Sequence, residues 1–260
     1  MDVNGEFLGE SPGAMSIREW LSRLLQLQGE SRSLPPILIQ GENGTGKEFV
    51  ARLIHRSGPR AAAPFVRVNC AAIPESLLEA EMFGFERGVF TAGDVKEVNP
   101  GLFEGAHRGT IFLKEVGCLS ETLQKKLLRV IEERAVRRLG STRSEPVDVS
   151  IVTATTEDLV DATRWGRFRE DLYHRLLKLW LPPLRDRGQD VIRLAEHLLT
   201  RACSDFDLPT KTLAPDARAA LLAYHWLGNV RQLSYVIERA ALLSEASTVS
   251  VSALGLPDSS

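Results

Sequence analysis

Apolar and polar positions recur along the chain in two rhythms, and the change of rhythm divides it. Ile17, Trp20, Leu21, Leu24 and Leu25 stand at helical spacing within residues 17–27, and a polar linker follows over 29–36. Short apolar runs at 37–39, 65–68, 110–113 and 149–154 then predict buried strands. Between them, helical patterns cover about 48–57, 75–82, 120–133 and 156–163. This alternation implies an α/β fold, a parallel sheet sandwiched by helices. Pro182 and Pro183 break the pattern. Beyond them the spacing is helical throughout, over about 190–204, 214–223 and 229–245, with Pro215 where a first helical turn tolerates proline. The expected organisation is an α/β core over 1–182 and a small all-helical lid over 183–260, frayed at 257–260.

Composition narrows the partners more than the fold. The 260 residues are 43% hydrophobic and 25% charged, as in ordinary globular proteins, with a net charge of −2. That charge gives no bulk electrostatic grip on nucleic acid or an anionic membrane. No apolar run approaches the ~20 residues that span a bilayer, and the first residues lack a signal-peptide pattern. Cys70, Cys118 and Cys203 form neither a CxxC pair nor a disulfide framework. A cytoplasmic setting is expected, with no membrane partner.

The chemistry begins after the first predicted strand. Gly41-Glu42-Asn43-Gly44-Thr45-Gly46-Lys47-Glu48 meets the spacing GxxxxGK and opens a helix. Backbone N–H groups wrap an anion only where side chains are absent, and a helix start adds partial positive charge. Lys47 is placed to reach the β- and γ-phosphates of a nucleotide. Glu48 stands where Ser or Thr is usual. A second element is expected at an apolar strand ending in acidic residues, and Thr110-Ile-Phe-Leu-Lys114-Glu115 fits with one departure. Glu115 can polarise an attacking water. Before it, where an aspartate would serve the metal, stands Lys114. By itself this stretch is also compatible with a strand end carrying a solvated Lys–Glu pair.

Taken together, these motifs resemble the central AAA+ ATPase domain of bacterial enhancer-binding proteins that activate sigma-54 RNA polymerase. The resemblance runs from about Phe7 to about Leu254. In that family glutamate is usual after the loop lysine, which accounts for Glu48. Phe65-Val-Arg-Val-Asn69 resembles the strand whose asparagine restrains the catalytic glutamate, so Asn69 is expected to pair with Glu115; otherwise it passes as a strand-end cap. Residues 168–176 resemble the arginine-finger helix, with Arg169 and Arg175 reaching a neighbouring subunit's nucleotide. The other reading is a solvated helix of mixed charge, in which Arg169 and Asp171 lie too close in sequence to share a face. Thr155 and Thr156, at the end of the strand 149–154, resemble the first sensor, and asparagine is common in the family at the position of Thr156. Arg231, after Gly228-Asn229, resembles the second sensor, with Leu227 replacing the family's usual proline. Gly88-Val89-Phe90-Thr91-Ala92-Gly93 lies where the family has GAFTGA, and Phe90 and Thr91 are the expected sigma-54 contacts.

The resemblance implies ATP as ligand, held by residues 41–48 with Thr156 and Arg231. It also implies Mg²⁺ on Glu48 and Glu115, and a ring of subunits, six in the family. Glu115, Asn69, Arg169 and Arg175 form the expected catalytic set, and sigma-54 RNA polymerase holoenzyme the expected partner. No direct DNA contact is expected. Family members usually carry a helix-turn-helix after the lid and a regulatory domain before the core, and neither is expected within these residues. Lys114 points to a second reading, a nucleotide-binding regulatory or assembly module with weak hydrolysis. Another AAA+ remodeller would need a loop other than Phe90-Thr91.

Overall fold

A computed structural model describes residues 7–30, 35–88 and 99–256. These fall into two compact units. One comprises residues 23–30, 35–40, 48–88 and 99–180; the other comprises residues 7–22, 41–47 and 181–256.

Five parallel strands form the sheet of the first unit: β1 Ile37–Gln40, β2 Phe65–Asn69, β3 Thr110–Lys114, β4 Ser150–Thr155 and β5 Leu177–Trp180. Their order is β2-β3-β4-β1-β5, so β1 is an inner strand between β4 and β5. Inner strands meet packing on both faces, which explains the unbroken apolar runs of β1 and β3. The four strands predicted from apolar runs are present. The fifth, β5, lies in a stretch that had no strand assigned. It is an edge strand with one buried position, Leu179, between exposed Lys178 and Trp180, so no apolar run announces it.

The crossovers supply α2 Lys47–Ser57, α3 Glu75–Phe83, α4 Glu121–Glu133, α5 Leu159–Arg164 and α6 Glu170–Arg175, following the N-terminal helix α1 Pro12–Glu30. Ser120 caps α4 by accepting from the Leu123 N–H, and Asp158 caps α5 by accepting from the Val160 and Asp161 N–H groups. Leu38, Ile111 and Leu113 from the sheet pack with Met82, Phe83, Leu123, Leu127 and Leu159 from the helices. Phe65 stacks on the fully buried Phe112, their ring centres 6.1 Å apart.

The second unit holds helices α7 Asp190–Asp205, α8 Pro215–Ala223 and α9 Asn229–Leu243 around Leu199, Leu221, Trp226, Leu233 and Ile237. Trp226 is completely buried, with its indole N–H donated to the Leu221 carbonyl at 2.8 Å. Two segments join this unit that a boundary at 182 places in the core: residues 7–22 and the loop 41–47. The first is held by buried Asp190, which accepts from the backbone N–H groups of Glu10 and Ser11 and from the Ser11 hydroxyl. Among the described residues, no helix is long and apolar enough to cross a membrane.

Candidate functional site

Loop 41–47 leaves β1 and enters α2 through backbone conformations that favour glycine. Gly44 has φ +79° and Gly46 φ +101°. At Gly44 a side chain is excluded twice over, because its Cβ would lie 2.2 Å from the Gly228 carbonyl oxygen. Lys47 donates to the Gly41 and Glu42 carbonyls at 2.7 and 3.0 Å, folding over its own loop. The Thr45 hydroxyl closes the turn on the same Glu42 carbonyl.

Within the same unit the loop is pinned by a residue that sequence reasoning did not assign. Asn229 is fully buried with φ +52°, and its carbonyl accepts from the Leu184 N–H at 2.7 Å. Its amide donates to the Glu42 carboxylate at 3.1 Å and the Asn43 carbonyl at 2.9 Å. Arg185 grips Glu42 with two bonds, at 2.9 and 2.5 Å. The Glu42 side chain therefore braces the loop through Arg185 and Asn229. Arg231 donates its backbone N–H to the Gly44 carbonyl and keeps an exposed side chain. Its place after Gly228 at the start of a helix is the signal that could have found it, because a left-handed position favours Asn.

In the α/β unit, the ends of β2, β3 and β4 are level. Asn69 pairs in register with Lys114, and Lys114 with Ala154. Glu115 follows in the left-handed region, φ +56° and ψ +49°, a conformation that costs a non-glycine residue about 1–3 kcal/mol. It is held there by Thr156, whose backbone N–H and hydroxyl both donate to Glu115 Oε2, at 3.0 and 3.1 Å. The expected Asn69–Glu115 pair is not formed. Asn69 Oδ1 instead accepts from the Ala71 N–H at 3.3 Å, the strand-end turn that short polar side chains favour.

Lys114 does not stand apart as a solvated charge. Its ammonium donates to Glu48 Oε2 at 3.0 Å, while Glu48 Oε1 accepts from Arg67 at 2.9 Å and Arg52 at 3.2 Å. Burial raises the Glu48 carboxyl's pKa, but the bonds from Arg67 and Lys114 outweigh it and hold the group down to about 2. Three cations on one carboxylate leave a formal surplus of two positive charges. That arrangement does not fit a divalent cation. Both Glu48 oxygens are engaged, the position that should attract the metal carries an ammonium, and one Glu115 oxygen is bound to Thr156. Among the described residues, no group of three or more His, Cys, Asp or Glu side chains is placed to hold a metal ion.

Arg169 lies just before α6, as its N-cap, and not on the helix. It folds back to grip Asp171 with two bonds, at 3.0 and 2.6 Å, so the two residues do meet despite their spacing. Arg175, in the last turn, donates to Glu132 at 2.8 Å on the surface. Phe90 and Thr91 lie outside the described residues.

A glycine loop between strand and helix, a lysine folded over it, an acidic residue after a parallel strand and a helical lid define an AAA+ nucleotide-binding protein. Comparison agrees. Residues 9–181 match the family described as Sigma-54 interaction domain, and residues 185–257 match the AAA+ ATPase lid domain. The response regulator protein PilR of Pseudomonas aeruginosa is 45% identical over 98% of the chain and 56% of its own length. The regulatory protein AtoC of Escherichia coli is 44% identical over 92% and 51%. NtrX from Brucella abortus, solved with ATP, superposes with a TM-score of 0.83 at 33% identity, covering 95% of this chain and 54% of that one. The chain belongs to the AAA+ family of sigma-54-dependent transcriptional activators, and it spans about half the length of the curated relatives it matches.

The brace on the loop titrates. Hydrogen bonds from Arg185 and Asn229 hold the Glu42 carboxyl near a pKa of about 2 against an ordinary 4.5. A depressed carboxyl pKa means that the unfolded chain binds more protons, so the stabilisation is complete above about 4.5 and is lost as pH falls towards about 2. Glu42→Gln is expected to unfold at lower denaturant concentration than the parent at pH 7, with the gap closing between pH 4.5 and 2. Urea titrations of both proteins across that range test it; a gap that stays constant refutes the brace.

Proposed function

We propose that this chain is the ATP-driven motor of a sigma-54-dependent activator, in which a ring of subunits hydrolyses ATP to remodel sigma-54 RNA polymerase holoenzyme. The observation that supports this most is the loop 41–47, glycine-bent and crossed by Lys47, within a chain that belongs to this family. Residues 41–47 bind the phosphates, and Arg231 folds over them from the lid. Glu115 polarises the attacking water, with Thr156 orienting its carboxylate in the role that the family gives to asparagine. Asn69 keeps its amide NH2 as the donor for Glu115, since its bond with the Ala71 N–H uses Oδ1.

Arg169 and Arg175 act on the neighbouring subunit's nucleotide. Their bonds to Asp171 and Glu132 are solvent-screened surface pairs, so exchanging them for a phosphate costs little. A hexamer in the cytoplasm is the proposed assembly. Phe90 and Thr91 are the proposed sigma-54 contact, and direct DNA contact is assigned elsewhere than in this chain.

Phosphate release measured against protein concentration tests the shared site: activity per subunit is expected to rise as the ring assembles. Arg175→Ala is expected to lower it by roughly a thousandfold or more. The same variant is expected to unfold within about 1 kcal/mol of the parent, because its Glu132 pair is exposed. Activity independent of concentration refutes the ring. For the partner, the protein is expected to retain sigma-54 on a sizing column when a transition-state mimic of ATP is bound, and Phe90→Ala to abolish the complex. No complex with the parent chain refutes the sigma-54 contact.

One observation favours a second reading, a module that holds nucleotide and turns it over slowly. It is the Lys114–Glu48 pair, which puts a cation where the family has aspartate. If that substitution limits hydrolysis, Lys114→Asp is expected to raise phosphate release. Equal turnover in both forms rejects this reading.

A further inference from the structure

Nucleotide triphosphates carry about four negative charges, and the usual P-loop shares them between the loop lysine and a divalent cation. That cation is held by the residue after the lysine and by an acidic residue at a neighbouring strand end. In this chain position 48 is the glutamate usual in the family, and position 114 has changed sign. Position 48, directly after Lys47, is a carboxylate whose two oxygens already accept from Arg67, Arg52 and Lys114. Position 114, at the end of β3, contributes not a carboxylate but an ammonium fixed 3.0 Å from that same residue.

We propose that this chain binds ATP without requiring a divalent cation, with Lys114 supplying beside Glu48 the positive charge that a metal ion would bring. The inference rests on the nucleotide-binding reading above and deepens it.

Three features carry it. The ammonium is positioned: Glu48 anchors it, and register with Asn69 and Ala154 fixes the backbone beneath it. The cluster is cation-rich, because one carboxylate answers three basic side chains, and the surplus attracts a polyanion while opposing Mg²⁺. Arg52 is also engaged locally, lying over the Phe65 ring, 5.2 Å from its centre. It therefore keeps the Glu48 side of the cluster in place when Lys114 turns to a phosphate. An ammonium is a compact charge on a flexible stem, suited to exchanging a carboxylate for a phosphate oxygen.

Equilibrium binding of ATP, followed by calorimetry in excess EDTA and in excess MgCl₂, tests the inference. The parent chain is expected to bind with affinities within about threefold of one another in the two buffers. Lys114→Asp is expected to bind at least ~10-fold more weakly in EDTA than in MgCl₂, because two carboxylates then face the phosphates unless a metal intervenes. Lys114→Met, which keeps the stem and removes the charge, is expected to bind more weakly than the parent in EDTA. Unfolding curves establish that each variant is folded; if neither is, the parent's two affinities decide. A parent affinity that falls ~10-fold or more in EDTA overturns the inference, as does a folded Lys114→Asp that binds equally in both buffers. Absence of ATP binding by the parent in either buffer overturns the nucleotide-binding reading itself, and with it the inference.

Discussion

Parallel pairing in register is the constraint on which the α/β unit's chemistry depends. Because β2, β3 and β4 run the same way and are aligned residue for residue, Asn69, Lys114 and Ala154 end at one level, and Gln40 is level with Thr155. A slip of one residue would send Lys114 to the opposite face and move Glu115 away from Thr156. The apolar positions that prevent such a slip, Ile111, Leu113 and Val152 among them, are themselves fully buried. Core packing thus sets the geometry of charged groups that contribute little to the core.

Charge placement within that frame is a matter of exchange more than of strength. Glu48 stands at the first turn of α2, where a helix favours a carboxylate, and its three basic partners are all partly exposed. Pairs of that kind stabilise a fold by about 0–1 kcal/mol each. Their consequence is local: Lys114 and Arg67 lose little by leaving Glu48. The left-handed backbone at Glu115 is different. It costs about 1–3 kcal/mol, and the two bonds from Thr156 are of the size needed to offset it. Thr156 therefore fixes where the carboxylate points.

The inner sheet and the loop were legible because each rests on strong local rules. Buried inner strands need apolar runs, and a phosphate-wrapping turn needs glycine at fixed spacing with a lysine behind it. What escaped depends on tertiary context. β5 alternates and lies at an edge, so its Leu-Lys-Leu-Trp carries no run. Arg169 and Asp171 cannot face one another on a helix, yet they pair because Arg169 lies outside the helix. Asn69 had two readings, and the local turn to Ala71 won over the distant carboxylate. Lys114 was visible as a departure, but that Glu48 would meet both it and Arg67 depends on where β2 lies beside β3.

The same distinction separates parts that hold the molecule from those proposed to act. Lys47 on its loop carbonyls, Arg169 on Asp171 and Arg175 on Glu132 are bonds between partners that solvent can replace. Asn229 is not of this kind. It is wholly buried, occupies a backbone region that suits asparagine, and satisfies a Leu184 N–H that would otherwise be buried without a partner. Losing such a partner costs about 1–3 kcal/mol for the orphaned group alone. The loop proposed to bind phosphates therefore has a fixed anchor at Glu42 and Asn43 and a replaceable closure at Lys47. Binding can rearrange the second without disturbing the first.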